Sequence, residues 1–364
     1  MTDPKEIFAP RSDDLGQAPD AGKPGVSVIV PVYNCAGSLP RCIESALSQD
    51  PAPSEVIVVN DGSTDNVREV AAGYGNRIVY LEQANQGQGA ARNAGLRVAS
   101  GRYVAFLDSD DYWLPGFIRA CVSFLEAHPE AIAVSTGQRI KTWGKKDRIR
   151  PAMLTGAQEG VVLHAQVLHD FFGFWGRHDH VRTGSNVIRR EAIERAGYQR
   201  TDLRISQDLE YWGYLATFGK WGFIPRVLFV SEGAAGAAQG WMKKYETRRR
   251  LCPTVEQWEN RIVPRLREAD WQGFRSVRGR VAASFAQSKI LAGDDSSALS
   301  IVRKYGGDFV PHLGNRIILF AAKHGPVQWK AACTLIRLRE RLKSLLMSLS
   351  ARRRSSGGSQ EKAT

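Results

Sequence analysis

The sequence of 364 residues lacks the devices by which many chains are cross-linked or anchored. Its five cysteines, Cys35, Cys42, Cys121, Cys252 and Cys333, are scattered, odd in number and without a CxxC pair. A disulfide framework or zinc ribbon is therefore excluded as the organising feature, and free, buried thiols in a reducing compartment are expected. No stretch of about 18 apolar residues occurs, so no helix is expected to span a bilayer. No apolar run precedes Val26, and Asp3, Glu6, Asp13 and Asp14 stand where a secretory signal would be basic and apolar. The phosphate-loop pattern GxxxxGK followed by Ser or Thr is missing. Gly87-Gln88-Gly89 would need a glycine where Arg92 stands to read as a dinucleotide fingerprint, and it follows a third strand, not a first. Internal repeats are absent, as are RRM, helix-turn-helix and zinc-finger patterns, so nucleic acid is not an expected partner.

What is present suits a globular protein with a sizeable core: 43% hydrophobic and 24% charged residues. The net charge of +13 is unevenly placed. Residues 241–364 hold 25 Lys and Arg against 10 Asp and Glu, whereas residues 1–240 hold 25 against 27. Such a basic C-terminal region suggests an anionic partner or a solvated helical surface.

Residues 1–24, polar and rich in Pro, Asp and Gly, read as a disordered leader. VSVIVPV (Val26–Val32), EVIVV (Glu55–Val59), Arg77–Leu81 and YVAFL (Tyr103–Leu107) read as buried strands. Between them, Leu39, Cys42, Ile43, Ala46 and Leu47 fall on one helical face with Ser38 as its cap, and Gly89–Ala99 reads as a helix. Strands alternating with helices predict an α/β domain with a mixed, mostly parallel central sheet flanked by helices. In such sheets ligands bind at the carboxyl ends of strands. Both acidic clusters of the first half lie at such ends.

Asp108-Ser109-Asp110 follows the fourth strand. Two carboxylates two residues apart can converge on a hard divalent cation, which prefers oxygen ligands and leaves positions for phosphate oxygens. Such a cation stabilises the charge of a departing nucleotide diphosphate. After EVIVV stand Asn60-Asp61-Gly62-Ser63-Thr64-Asp65. A carboxylate there can accept a hydrogen bond from a base N–H, while Ser63 or Thr64 can cap a following helix. Pro31-Val32-Tyr33-Asn34 ends the first strand, where it can face a base or simply terminate the strand.

Taken in order, PVYN, VIVVNDGSTD and GQGAARNAGLRVASGRYVAFLDSDDYWLP resemble family 2 glycosyltransferases of the GT-A fold, over about residues 26–230. The resemblance implies a nucleotide-diphospho-sugar transferase that inverts at the anomeric carbon and uses Mn²⁺ or Mg²⁺, with a UDP-sugar as the expected donor. It implies that Asp61 contacts the base, that Pro31, Tyr33 and Asn34 line the nucleoside pocket, and that Arg92 and Ser109 lie near the nucleotide. Asp108 and Asp110 would be the metal pair, with Asp110 the direct ligand. Asp208 in Ser206-Gln207-Asp208-Leu209 would be the catalytic base. A carboxylate at a helix start also suits the helix dipole, and the lesser alternative is that Asp208 merely caps the helix. Two departures from the family pattern are Asn60, where an Asp is usual, and Gln207, where a Glu is usual. By the same resemblance, Gly184 of Thr183-Gly184-Ser185-Asn186 would let backbone approach the sugar. Trp175 can stack on a sugar, although core packing is the commoner role. His178 and His180 read as a solvated loop.

The expected organisation is a catalytic domain at 25–235, a basic helical region at 236–350 and a disordered tail at 351–364. Helical spacing marks 241–270, 275–292, 296–305 and 328–350. The last carries Leu335, Leu338, Leu342, Leu345, Leu346 and Leu349 on one stripe, beside Arg337, Arg339, Arg341 and Lys343 and ahead of Arg352-Arg353-Arg354. This pattern suits a helix lying on an anionic membrane surface through 328–354, or one packed on the chain itself or on a second copy. The resulting expectation is a cytoplasmic enzyme, peripheral on the inner face of a membrane, that builds a surface polysaccharide or glycolipid on a glycan or lipid-linked acceptor. The competing functions are a nucleotidyltransferase, which would carry a basic Gly-rich loop after the first strand where Asn34-Cys35-Ala36-Gly37-Ser38 stands, and a non-catalytic scaffold binding membrane or nucleic acid.

Overall fold

The computed structural model describes residues 25–141, 146–154, 164–232 and 251–357. The expected leader lies outside them. Among the described residues, 25–202 with 207–232 form one compact unit, and 203–206 with 251–357 form a second.

The first unit is built on one sheet. Its first half consists of β1 (Val26–Val32), β2 (Glu55–Asp61), β3 (Val79–Gln83) and β4 (Tyr103–Phe106). β1 pairs in parallel with β2 and with β4, and β2 with β3. β1 reads as a continuous apolar run because both its faces are covered. Val28 and Val30 join Leu39, Cys42 and Ile43 of α1 (Leu39–Leu47) in the core. Ile29 points the other way, toward α3 (Gln88–Val98), where a Cβ added to Gly95 would lie 2.5 Å from it. Only a glycine admits the strand that closely.

In the second half of the sheet, β9 (Asn186–Arg189) lies antiparallel between β4 and β6 (Ala131–Ile140). β6 pairs in parallel with β10 (Lys220–Ser231), and the two-residue β5 (Tyr112–Trp113) closes the order β3-β2-β1-β4-β9-β6-β10-β5. β7 (Arg148–Arg150) and β8 (Gln166–Val167) attach to β6 and β10. Helices α2 (Val67–Ala72), α4 (Phe117–Ala127), α5 (Phe171–His178), α6 (Arg190–Ala196) and α7 (Gln207–Leu215) complete the unit. The sheet is thus mixed and mostly parallel in its first half, as the strand pattern predicts. β3 starts two residues later than expected, because Gly75–Arg77 closes a 3-10 turn first.

The second unit is helical: α8 (Val255–Glu259), α9 (Trp271–Ala292), α10 (Asp295–Tyr305), α11 (Leu313–His324) and α12 (Pro326–Gly357). The helix expected over 241–270 is, within the described residues, only the short α8 followed by 3-10 turns. α11 was not expected at all. α12 continues through Ala351–Gly357, a stretch read as tail, since Ala and Arg are good helix formers. Its inner face is anchored where the Trp329 indole donates to the Asp295 carbonyl at 3.1 Å and Arg337 to the Ile290 carbonyl at 2.9 Å. Among the described residues, no helix is long and apolar enough to cross a membrane.

Candidate active site

The C-terminal ends of β1, β2, β3 and β4 open on one edge of the sheet, because the four strands are parallel neighbours. Pro31, Tyr33, Asn34, Asp61, Asp108, Ser109 and Asp110 all stand on that edge. Three loops there are tied by side chain–backbone hydrogen bonds. Asn34, held at φ 51°, takes the Thr64 N–H on its Oδ1 at 2.7 Å, and its own N–H donates to Ser63 Oγ at 3.0 Å. The Ala36 N–H donates to Asp65 Oδ2 at 2.9 Å. Ser63 and Thr64 therefore clasp the β1 loop and do not cap α2, whose preceding residue is Asn66. Ser38 does not cap α1 through its side chain either: its hydroxyl donates back to the Cys35 carbonyl. Tyr33 keeps 45% of its surface exposed, a large aromatic face on an otherwise polar rim.

Asp61 is nearly buried and holds the loop after β3. Oδ1 accepts from Gln83 Nε2 at 2.7 Å and the Gln86 N–H at 2.8 Å, while Oδ2 accepts from the Gly87 N–H at 2.7 Å. A carboxylate has about four lone-pair sites, so Oδ2 retains capacity for one more donor. Asn60 explains its own departure from the family pattern. Its Oδ1 accepts the Ser63 N–H at 2.9 Å, as an Asp would, but its Nδ2 donates to the Tyr80 hydroxyl at 2.9 Å, which a carboxylate cannot do.

Arg92 lies inside, not on the rim. Its side chain is 1% exposed, and it donates to Asp108 Oδ1 at 2.7 Å and to Gln88 Oε1 at 3.0 Å. It thus fixes Asp108 from below and stands at most behind a nucleotide. Asp111, the next acid, is buried and accepts the Glu232 N–H at 2.8 Å. Burial, and after it the Asp110 and Asp108 carboxylates, push its pKa well above the usual range. Glu232 is in turn paired with Arg41 and Lys141, whose cations lie over the Tyr112 ring.

This crowding of acids bears on a divalent cation. Asp108 and Asp110 offer hard oxygen donors of the kind a divalent cation prefers. Among the described residues, no three His, Cys, Asp or Glu side chains are grouped to hold a metal. A cation held by these two carboxylates alone would have to take its remaining positions from a ligand and water.

Asp208 is in the first turn of α7 and half-buried. Among the described residues its carboxylate has no hydrogen-bonding or ionic partner, in contrast to Asp61 and Asp108. Close packing carries α7 toward the edge. A Cβ on Gly89 would lie 2.9 Å from the Arg200 carbonyl and 3.8 Å from Gln207 Cγ. Gly89 is one helical turn from Arg92, which holds Asp108. Asn93 exchanges two hydrogen bonds with the Gln199 backbone, at 2.8 and 3.0 Å. The Trp212 ring lies 5.9 Å from that of Phe106, at the end of β4. Gln88, Asn93, Gln199 and Asp111 went unread in the sequence. The spacing of Gln88 and Arg92, four apart on one helix face, was the available signal.

Of three expectations, the core packing of Trp175 holds, and those for Gly184 and His180 fail. Gly184 does not offer its backbone to a ligand: an added Cβ would lie 2.1 Å from the Phe229 ring, and its carbonyl accepts the Trp113 indole N–H at 2.7 Å. Trp175 is wholly buried, 5.5 Å from the Phe171 ring, and packs the core. His180 is not solvated. Asp179 adopts a left-handed φ of 48° after α5 and turns His180 inward, edge-on to Phe174 at 4.8 Å.

Residues 27–196 match the model for glycosyl transferase family 2. A chondroitin synthase of Pasteurella multocida (strain Pm70) is 35% identical over 175 residues, 47% of this chain and 18% of that protein. The chain thus spans about a fifth of that relative's length. The solved structure of S. aureus TarS 1-349 superposes with a TM-score of 0.56 at 17% identity, covering 88% of this chain and 92% of that one. A mannosyltransferase from Pyrobaculum calidifontis superposes with a TM-score of 0.51 at 20% identity, covering 88% and 89%. At those identities the likeness is one of fold, which is GT-A with C-terminal helices.

Proposed function

We propose, from the match of residues 27–196 to glycosyl transferase family 2, that the chain moves a sugar from a nucleotide diphosphate to an acceptor hydroxyl, with inversion at the anomeric carbon. The observation that carries this reading is the contrast among its carboxylates. Asp61 and Asp108 are held by the protein, whereas Asp208, among the described residues, stands without a partner on a helix packed toward the same edge. TarS has been crystallised with UDP-GlcNAc, and the mannosyltransferase with GDP-Man and Mn²⁺. A UDP-sugar is the donor we favour.

In this reading Asp61 accepts a base N–H on Oδ2, Tyr33 presents its ring to the base, and Pro31 and Asn34 wall the nucleoside. Arg92 keeps Asp108 in place, Ser109 lies beside the diphosphate, and Asp108 and Asp110 hold Mn²⁺ or Mg²⁺. The cation supplies Lewis-acid stabilisation of charge on the leaving diphosphate. Asp208 takes the acceptor hydroxyl's proton as the new C1–O bond forms and the bond to the nucleoside diphosphate breaks. Asp208 is half-buried in the first turn of α7, and among the described residues no cation is paired with it.

The acceptor we favour is a glycan or lipid-linked sugar, reached from the cytoplasmic face. The outward side of α12 carries Val327, Leu335, Leu338 and Leu342, each more than half exposed, beside exposed Lys330 and Arg341. Apolar residues flanked by cations fit an anionic bilayer. Leu335→Glu with Leu338→Glu is expected to abolish cosedimentation with phosphatidylserine vesicles. Unchanged cosedimentation would remove the membrane from this proposal.

The function is tested by measuring nucleoside diphosphate release from UDP-, GDP- and CMP-linked sugars, with Mn²⁺ and candidate acceptors. Acceptor-stimulated release from one donor class is expected. Release from none would overturn the transferase reading.

A further inference from the structure

Helix α3 works through two adjoining stripes of side chains. On one, Gln88 and Arg92, four residues apart, form the hydrogen-bonded pair that ends on Asp108. On the other, Gly89 and Asn93 receive the segment 197–200, which follows α6. Asn93 is buried, and its Nδ2 donates to the Gln199 carbonyl at 2.8 Å while its Oδ1 accepts the Gln199 N–H at 3.0 Å. One side chain thus satisfies both backbone groups of a buried residue. Gln199 Oε1 in turn accepts from Arg92 Nη1 at 3.4 Å. The same segment is gripped from α7. The Gly197 carbonyl accepts the Tyr211 hydroxyl at 3.0 Å, and Tyr211 is wholly buried. Asp208 stands three residues before Tyr211 and four before Trp212, so the three are neighbours on the helix. All of these residues belong to the first unit.

We infer that Asn93 is a positioning residue: through residues 197–200 it fixes the separation between α7 and the Asp108 loop, and so between the base and the departing diphosphate. Inverting displacement needs the acceptor oxygen, the anomeric carbon and the leaving oxygen in line. The base on one side and the carboxylates at the leaving group on the other must therefore keep a set spacing. A tie that runs from α3 through Gln199 and Gly197 to Tyr211 holds that spacing from below, without touching the substrate. An amide suits the task because it carries both the donor and the acceptor that one backbone residue needs, which an ionised carboxylate does not. Small displacements of a reacting group reduce turnover strongly. Donor affinity resides instead at Asp61 and Tyr33, which have no part in this tie. The inference rests on the reading of Asp208 as base.

The experiment compares the full-length wild type with Asn93→Ala, Tyr211→Phe, the two combined and, as a control, Ser27→Ala. Ser27 is buried near the N-terminal end of β1, at the edge opposite the site, and its hydroxyl also makes two hydrogen bonds, to Glu55 Oε1 at 2.6 Å and from the Gly101 N–H at 2.8 Å. The readouts are kcat, donor KM and thermal midpoint. Asn93→Ala is expected to lower kcat roughly tenfold with donor KM unchanged. Tyr211→Phe, which removes only the hydroxyl at the other end of the tie, is expected to lower kcat about threefold. The combined variant is expected to fall no further than Asn93→Ala alone, because residues acting through one chain of contacts are not additive. Ser27→Ala is expected to lose a similar thermal midpoint at unchanged kcat. Full kcat in Asn93→Ala, a raised donor KM, multiplied effects in the combined variant, or a kcat loss in Ser27→Ala that follows the thermal midpoint equally overturns the inference. If Asn93→Ala does not fold, Tyr211→Phe decides: unchanged kcat overturns the inference, and a fall in kcat at constant donor KM supports it. Failure of the base reading looks different, since Asp208→Asn would then retain turnover.

Discussion

In the half of the sheet formed by β3, β2, β1 and β4, every strand runs in the same direction. In the half formed by β9, β6, β10 and β5, directions are mixed. The polar residues follow suit. At the parallel end they collect on one edge and hold one another: Asn34 with Ser63 and Thr64, Asp61 with the loop after β3, Arg92 with Asp108. In the mixed half, His180, expected in a solvated loop, lies among aromatic rings, and Gly184, expected to approach the sugar, lies under Phe229. Parallel strands concentrate polar groups at their shared ends, whereas the mixed half supplies packing and, in the proposed reading, leaves its chemistry to a helix, α7. What distinguishes Asp208 from Asp61 and Asp108 is that, among the described residues, no donor or cation is paired with its carboxylate.

That contrast predicts substitutions of different kind on the two sides. The largest effect is expected from Asp208→Asn, which should lower turnover about 10³-fold, within the range for loss of a general base, while leaving nucleotide affinity unchanged. Loss of nucleotide affinity as well would move Asp208 to the donor edge and erase the distinction. Next is Arg92→Met, which strands Asp108 at the parallel edge. Breaking a buried ion pair costs about 3 kcal/mol at the low end, apt here because Asp108 is partly open to water. Urea unfolding reads that loss, and combining it with Asp108→Asn should recover part of it. A smaller effect is expected from Gly184→Ala in the mixed half. Overpacking against Phe229 should cost about 1–3 kcal/mol in unfolding free energy with donor KM unchanged. A raised donor KM at constant stability would instead return Gly184 to the ligand-facing role expected from the sequence.

The parallel half was legible in the sequence because strands covered on both faces are continuous apolar runs, and each run stops at a polar motif. The grouping of Pro31, Tyr33, Asn34, Asp61, Asp108 and Asp110 on one edge follows from that and from strand order. The bonds that occupy Asp61, and the burial of Arg92, did not, because they depend on loops brought together from distant parts of the chain. His180 and Gly184 were misread for a related reason: a single left-handed residue, Asp179, and one remote ring, Phe229, decide which way they face. α11 escaped notice because its IILF core is an unbroken apolar run with no helical spacing, and its N-terminus is capped by His312, whose ring accepts the Asn315 N–H at 3.3 Å. Histidine is not among the residues that announce a helix start.

The most direct test of a donor site at the parallel edge is the binding of UDP, GDP, CMP and dTDP to wild type and Asp110→Ala by thermal shift, each with Mn²⁺ and with EDTA. A stabilising shift with one nucleotide, present with Mn²⁺ and lost with EDTA or in Asp110→Ala, is the predicted result. Binding that ignores both the metal and Asp110, or no binding of any nucleotide, would contradict it.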